Sequence, residues 1–276
     1  FVRSCRRRFS CRSRGGEGVE FVGHQGPVYG VDVDAADQFA ISSSQDTTVR
    51  LWRASGGKAL VEYRGHSAPV WDVAFSPTSY YFATGSHDRM ACIWTTDRPK
   101  PVRILAGHFA DVEHVKWHPN GSLLATGSCD KTVRLWQLNT ANQARLFVGH
   151  GSGVSAVAFS PNGRLCAVGE EGGAVVVWDI AESRRLHTLD SGAGHGGAGW
   201  CKVTSLAFSP DSATLFSATN CAAQAITSWD MHSAKGEEQA KVFQTKATPV
   251  VQLECLTEAL VLAAGVFTAV PGAGNP

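Results

Sequence analysis

Apolar and polar residues alternate along short segments of this chain, as half-buried β-strands require. Residues 27–33 (Pro-Val-Tyr-Gly-Val-Asp-Val) form one such segment, and Phe39 to Ser44 and Val49 to Trp52 follow it after turn residues. A period of two residues places successive side chains on opposite faces of a strand. Because these segments are short and are separated by turn residues, the pattern predicts consecutive antiparallel strands rather than helices.

The same segments recur at a fixed interval of 42 residues. A Gly-His pair opens each unit and a Trp closes it: the histidines are His24, His66, His108 and His150, and the tryptophans are Trp52, Trp94, Trp136 and Trp178. A repeat of this length with four short strands is typical of one blade of a β-propeller. We therefore predict an all-β propeller in which each unit supplies one four-stranded blade.

Two further units are less regular. The fifth begins at Gly194-His195 and ends at Trp229, and residues 249–253 and 259–263 resemble the first two strands of a sixth. We expect about five full blades and a partial sixth over residues 21–265, with repeats beginning near residues 23, 65, 107, 149, 194 and 245. Residues 266–276 are expected to be a loose tail.

The amino terminus differs from the rest of the chain in charge. Six arginines precede the first acidic residue, Glu17; without them the chain has 19 Lys and Arg against 24 Asp and Glu, or −5, although the whole chain carries +1. Residues 1–20 lack an apolar period, which predicts a disordered basic arm or a fragment end, with a targeting arm as the alternative. The mildly acidic body argues against direct nucleic-acid binding, and without an apolar run of 18 residues we expect no membrane partner.

Three units carry a His, a hydroxyl residue, an Asp and a Trp at matching spacing. These sets are His24, Ser42, Asp46 and Trp52; His66, Thr84, Asp88 and Trp94; and His108, Thr126, Asp130 and Trp136. His, Ser and Asp also form catalytic triads. However, a triad occurs once in an active site, while this set recurs in each unit and ends in an indole, which can only donate. We predict a structural chain of hydrogen bonds from Trp through the hydroxyl and His to the Asp.

The fourth and fifth units depart from this pattern. The fourth has Val168 and Gly172 at the hydroxyl and Asp positions, and the fifth has Thr219 and Ala223. Both blades should therefore be held less tightly. None of the eight cysteines lies in a C-x-x-C pair, so we predict no metal site. The sequence predicts no catalytic residues, no cofactor and no small-molecule substrate.

The repeated Gly-His, the turn Asp and the closing Trp resemble the WD40 repeat family, over about residues 21–229. The resemblance implies a rigid propeller that binds protein partners, usually without catalysis. It also implies that one face presents a candidate partner surface around the central channel: Tyr29, Gln45, Trp71, His87, Asp111 and Glu113. Exposed aromatic residues of this kind are suited to binding hot spots. Ordinary packing between neighbouring blades is the alternative.

Residues between the shared positions resemble one branch of this family, the TFIID subunit 5 family of TBP-associated factors. The segments that carry this resemblance include Tyr80-Tyr81-Phe82, His87-Asp88-Arg89 and residues 245–265. It implies a nuclear protein with a seven-bladed propeller, packed on histone-fold subunits in TFIID or a SAGA-like co-activator, that supports RNA polymerase II initiation. That family has another blade before His24, so we expect an incomplete ring here. An adaptor of another pathway, such as a ubiquitin-ligase substrate receptor or an RNA-processing component, is the alternative.

Overall fold

Strands of four to eight residues build this protein, and no helix occurs in the residues that the structure describes. The structure is a computed structural model, which describes residues 8–12, 18–190, 201–220, 225–231, 241–245, 250–257 and 260–265. It contains five four-stranded antiparallel sheets and two two-stranded ones. The prediction of an all-β, incomplete propeller is therefore confirmed.

The first two-stranded sheet lies in the segment expected to be a disordered arm. Strands β1 (Arg8–Arg12) and β2 (Gly18–Val22) pair in antiparallel register. Phe21 is 1% exposed, and its ring meets that of Trp52 edge-on, with centroids 5.7 Å apart. Residues 8–12 and 18–20, for which we expected a disordered arm or a fragment end, form paired strands in the structure, and Phe21 anchors β2 on an apolar neighbour. The rest of the arm lies outside the described residues.

Five complete blades follow, and in each of them consecutive strands pair side by side. Blade 1 consists of β3 (Val28–Val33), β4 (Phe39–Ser44), β5 (Thr48–Arg53) and β6 (Ala59–Arg64); blade 2 of β7 (Val70–Phe75), β8 (Tyr81–Ser86), β9 (Met90–Thr95) and β10 (Arg103–Ala106); blade 3 of β11 (Val112–Trp117), β12 (Leu123–Ser128), β13 (Val133–Gln137) and β14 (Gln143–Phe147); blade 4 of β15 (Val154–Phe159), β16 (Leu165–Glu170), β17 (Ala174–Asp179) and β18 (Arg184–Asp190); and blade 5 of β19 (Val203–Phe208), β20 (Thr214–Thr219), β21 (Ala225–Asp230) and β22 (Lys241–Gln244).

The chain continues into a half blade. Strands β23 (Val250–Thr257) and β24 (Leu260–Gly265) form the second two-stranded sheet. This sheet contains the two strands expected for the partial sixth unit. The predicted Gly194-His195, the position of Ala223 and the tail at 266–276 lie outside the described residues.

The apolar core lies between the blades. Tyr63 and Leu51 of blade 1 pack with Val73 and Trp94 of blade 2, and equivalent clusters join each later pair of blades. Because each sheet buries its faces on its neighbours, the stability of such an array is close to a sum of intrinsic and nearest-neighbour terms.

The innermost strands surround a central channel. Residues of β3, β7, β11, β15, β19 and β23 all line one cavity of about 160 Å³. Six inner strands therefore face the same space, which positions the loops at the strand ends around one channel mouth.

Candidate functional site

Two loops of each blade meet at one end of the sheet. The backbone amide of Gln45 donates to the carbonyl of Pro27 (2.9 Å), and that of His87 donates to Pro69 (2.9 Å). These bonds join the loop that enters the first strand of the blade to the turn between its second and third strands. We call this end of the blades the upper face. Side chains from the two loops therefore share one surface.

The hydrogen bonds beneath the upper face form a continuous relay in blade 2. Nδ1 of His66 lies 2.8 Å from Oδ2 of Asp88, and Nε2 of His66 lies 2.7 Å from Oγ1 of Thr84. The indole Nε1 of Trp94 donates to the same oxygen (2.9 Å). Because an ionised carboxylate can only accept, the network assigns the His proton to Nδ1 and makes Nε2 the acceptor for the hydroxyl.

Blades 1 and 3 contain the same relay. In blade 1, His24 lies 2.9 Å from Asp46 and 2.8 Å from Ser42, and Trp52 donates to the same Ser42 oxygen at 2.8 Å. In blade 3, His108 lies 2.9 Å from Asp130 and 2.7 Å from Thr126, and Trp136 donates to the same Thr126 oxygen at 2.9 Å. Each group in the relay has a partner, so the network fixes one geometry for the blade.

Burial and the hydrogen bonds of the relay shift the pKa of the three relay aspartates and of His108. Burial raises the pKa of Asp88, but the hydrogen bond from His66 and those from backbone amides outweigh it, so this pKa lies below its usual value. Burial also raises the pKa of Asp46, but hydrogen bonds from His24, Thr48 and the amide of Gln25 lower it overall. For Asp130 the hydrogen bonds that outweigh burial and lower the pKa come from Thr132, the amide of Phe109 and His108, in that order. Burial lowers the pKa of His108 below 6.5 despite the neighbouring carboxylate. The folded protein thus favours a neutral His108 beside an ionised Asp130.

Blade 4 keeps only half of the relay. Oε1 of Glu170, two positions before Gly172, lies 3.0 Å from Nδ1 of His150, and its other oxygen accepts from the amides of Gly151 and Ser152. Glu170 therefore provides the carboxylate that we predicted to be missing. No residue replaces the hydroxyl: Val168 occupies that position, and the buried Nε2 of His150 and Nε1 of Trp178 have no hydrogen-bond partner among the described residues.

Blade 5 takes its hydroxyl from a residue that the sequence spacing did not indicate. Trp229 donates to Oγ of Ser217 (3.0 Å), twelve residues before it. The spacing of ten residues in the earlier blades had pointed to Thr219. That prediction is wrong because the turn between β20 and β21 is two residues longer, which moves the register.

Four of the six predicted surface residues cluster on the upper face. The rings of Tyr29 and Trp71 have centroids 4.8 Å apart, and those of Trp71 and His87 are 6.1 Å apart. Oδ2 of Asp111 accepts from Nε1 of Trp71 (3.2 Å) and also meets Nδ1 of His87. We call these four residues the aromatic surface. It spans blades 1 to 3 and holds a half-buried Trp in a fixed position.

Glu113 belongs to a separate polar cluster. It accepts from the thiol of Cys129 (3.2 Å) and lies 3.4 Å from Nζ of Lys202, which also pairs with Glu171 (3.1 Å). Burial, followed by the charge of Glu113, raises the pKa of Cys129 to about 12. This thiol is therefore protonated at neutral pH and is a poor nucleophile. Gln45 lies on the turn of blade 1 and is exposed.

Comparison with protein families matches the repeats directly. The family model described as WD domain, G-beta repeat matches residues 17–53, 57–95, 99–137, 141–179 and 183–230. The chain belongs to the WD40 repeat family. WD40 propellers are typically interaction scaffolds without catalysis, so the upper face of this WD40 chain is its candidate site for protein partners.

Two channel-lining aspartates of this WD40 chain escaped the sequence analysis. Asp32 accepts from the amide of Phe75 (2.7 Å), and Asp72 accepts from the amide of Val115 (3.1 Å), so each joins its own blade to the next. Burial raises the pKa of Asp32. An acidic residue within an otherwise apolar strand was the signal in the sequence. The amide that each aspartate binds could not be identified from it, because that amide lies 43 residues away.

The described part of the chain offers neither a metal site nor a membrane-spanning helix. Among these residues, no group of three or more His, Cys, Asp or Glu side chains is placed to hold a metal ion. Within the same residues, no helix of sufficient length and apolar character to cross a membrane is present.

Proposed function

We propose that this WD40 chain is a non-catalytic scaffold of the general transcription machinery, a nuclear TFIID or SAGA-like subunit that supports RNA polymerase II initiation by binding histone-fold TBP-associated factors. The family match supports the scaffold role. The resemblance at residues 80–89 and 245–265 supports the choice of this pathway. The proposed binding site rests on one observation, the clustering of the four residues of the aromatic surface on the upper face.

The aromatic surface has the properties of a binding hot spot. Trp71 packs against the tilted ring of Tyr29 and donates its indole N–H to Asp111, so it loses little side-chain freedom when a partner binds. The His87 side chain beside it is 57% exposed and can be covered. Aromatic anchors of this kind dominate the energy of many protein interfaces.

The test measures binding of the recombinant chain to purified histone-fold pairs of TBP-associated factors by calorimetry. Trp71→Ala should weaken binding about 30-fold, the effect of a hot spot of about 2 kcal/mol. Tyr80→Ala is the matched control: Tyr80 is an aromatic residue 48% exposed, on the turn between β7 and β8 at the opposite end of blade 2, and its removal should leave binding unchanged.

The outcomes test the proposed TFIID pathway and the proposed aromatic surface independently. If the wild-type chain binds no histone-fold pair and co-purifies with a ubiquitin-ligase core or an RNA-processing complex, the TFIID proposal fails. If the wild-type chain binds but Trp71→Ala binds equally well, the pathway stands and the aromatic surface is wrong. Nuclear residence is checked by imaging the tagged chain in cells; exclusion from the nucleus would contradict it.

A further inference from the structure

Phe109 is the most exposed large apolar side chain in the described part of the chain. It is 81% exposed, whereas the next, Val242, is 57% exposed. Phe109 lies on the upper face, in the loop that enters the first strand of blade 3. A phenyl ring this exposed gains little apolar burial from folding. Its presence therefore calls for an explanation outside the fold.

The backbone of Phe109 has the same position as its counterparts in other blades. Its amide donates to Oδ2 of the relay carboxylate Asp130 (2.9 Å). The residue that follows the relay His in each of blades 1, 2 and 4 donates to the relay carboxylate of its own blade. These residues are Gln25 (2.8 Å), Ser67 (3.2 Å) and Gly151 (3.0 Å). None of the three has a large apolar side chain, so this backbone bond does not require the phenyl ring.

The loop of Phe109 also reaches the aromatic surface. Two residues later, Oδ2 of Asp111 accepts from the indole of Trp71 (3.2 Å) and meets Nδ1 of His87. Two residues of chain span at most about 7 Å, so Phe109 begins close to these side chains. The phenyl ring therefore enlarges the apolar area that the upper face offers to a partner.

The upper face around this loop carries negative charge. Asp111, Glu113 and Glu171 have one ammonium between them, that of Lys202, which pairs with both glutamates. No described residue hydrogen-bonds to Oδ1 of Asp111, since both of its side-chain contacts are made by Oδ2. The four relay carboxylates beneath outnumber the other basic side chains of the described upper-face turns, which are Arg89 and Lys131. This charge attracts a basic partner and repels an acidic one.

We propose that the loop of Phe109 and Asp111 docks a partner segment in which a lysine or arginine stands beside a large apolar residue. The apolar side chain of the partner covers the Phe109 ring, and its basic group meets Oδ1 of Asp111. This inference deepens the proposed function: it rests on the upper face being the partner surface, and it does not depend on the pathway.

Selection of random linear peptides displayed on phage, with the full chain as bait, tests this chemistry without a chosen pathway. The enriched peptides should carry lysine or arginine next to a large apolar residue. Synthetic copies are then titrated by fluorescence polarisation. Phe109→Ser, which introduces the residue of blade 2, should weaken binding about tenfold. Its melting temperature should not change, because the ring is exposed. Asp111→Asn should weaken binding and reduce its dependence on salt.

Ile104→Ser is the matched control. Ile104 is 56% exposed and lies on β10, the outermost strand of blade 2, so its removal should leave peptide binding unchanged. Enrichment of acidic peptides, no enrichment at all, or equal binding to wild type and Phe109→Ser overturns the proposal. Equal losses from Phe109→Ser and Ile104→Ser overturn it as well, because binding would then be non-specific.

The peptide assay and the calorimetric test of Trp71 fail independently. Histone-fold subunits are absent from the peptide assay, so failure of the TFIID proposal leaves its result unchanged. Conversely, a Phe109→Ser variant that binds the peptides normally refutes the present inference and leaves the binding of histone-fold pairs to be decided by calorimetry.

Discussion

Val168→Thr should stabilise this protein by supplying the one hydroxyl that blade 4 lacks. In blade 2 the equivalent Thr84 lies 2.7 Å from His66 and 2.9 Å from Trp94. In blade 4 both the His and the Trp are present, but Val168 offers no polar atom. Threonine differs from valine by a hydroxyl in place of one methyl group, so the substitution needs little new space.

The expected change in the free energy of unfolding follows from two opposing contributions. Two new buried hydrogen bonds contribute about 0.5–1.5 kcal/mol each. Val168 is fully buried among Val157, Cys166 and Val176, and the loss of one methyl group there costs about 0.8 kcal/mol. The free energy of unfolding should therefore rise by about 1 kcal/mol, or about 2–4 °C in melting temperature for a chain of this size.

Urea titration measures the change, and NMR identifies its cause. The midpoint should increase at an unchanged slope, and the indole proton of Trp178 should move downfield and exchange more slowly. Thr84→Val is the reverse substitution, and it should cost about 2–4 kcal/mol because it leaves Nε2 of His66 and Nε1 of Trp94 without hydrogen-bond partners. Val168→Ala, which adds no hydroxyl, should destabilise.

Two results would refute this reasoning. The first is a Val168→Thr variant no more stable than Val168→Ala, because the hydroxyl would then contribute nothing. The second is a harmless Thr84→Val, because the relay would then not stabilise even an intact blade.

Three further predictions concern the relay and the N-terminal sheet. Asp88→Ala should cost about 1–3 kcal/mol in thermal unfolding, because it removes the acceptor for His66, whereas the exposed His87→Ala should stay within about 0.5 kcal/mol; equal effects would contradict these roles. The pKa of His108 is lower in the folded protein than in the unfolded chain, so the unfolded chain binds this proton first as the pH falls. The contribution of neutral His108 to folding stability is therefore complete above pH 6.5 and is lost as the pH falls below it. The urea midpoint should decline on acidification, and His108→Gln should flatten that decline. Gly57→Ala should cost about 1–2 kcal/mol, because Gly57 has φ +64° and a Cβ there would meet the backbone oxygen of Glu20. The neighbouring Gly56 has open space around it, so Gly56→Ala is the control and should be tolerated. Similar melting curves for the two glycine variants would count against docking of β2 on blade 1.

The sequence by itself determined the features that lie within one repeat. The period of two residues located the strands, and the interval of 42 residues identified the blades. The relay of blades 1 to 3 was predictable because its four residues come from neighbouring strands and loops of one blade, and the turns between those strands keep the same length. Equal spacing in the sequence therefore gives equal positions in the blade. Where a turn lengthens by two residues, as before Trp229, the spacing pointed to Thr219 although Ser217 forms the bond.

Only the tertiary structure decided the features that join different repeats or replace one side chain by another. Glu170 serves as the relay carboxylate because its longer side chain reaches His150 from two positions earlier, which no spacing rule includes. Asp111 holds Trp71 across a blade boundary, 40 residues away. Phe21 turns part of a polar, Arg-rich segment into packed strands because Trp52 offers an apolar surface to it. Strand position is encoded by local periodicity, whereas contacts between blades depend on the distance between residues in the folded ring.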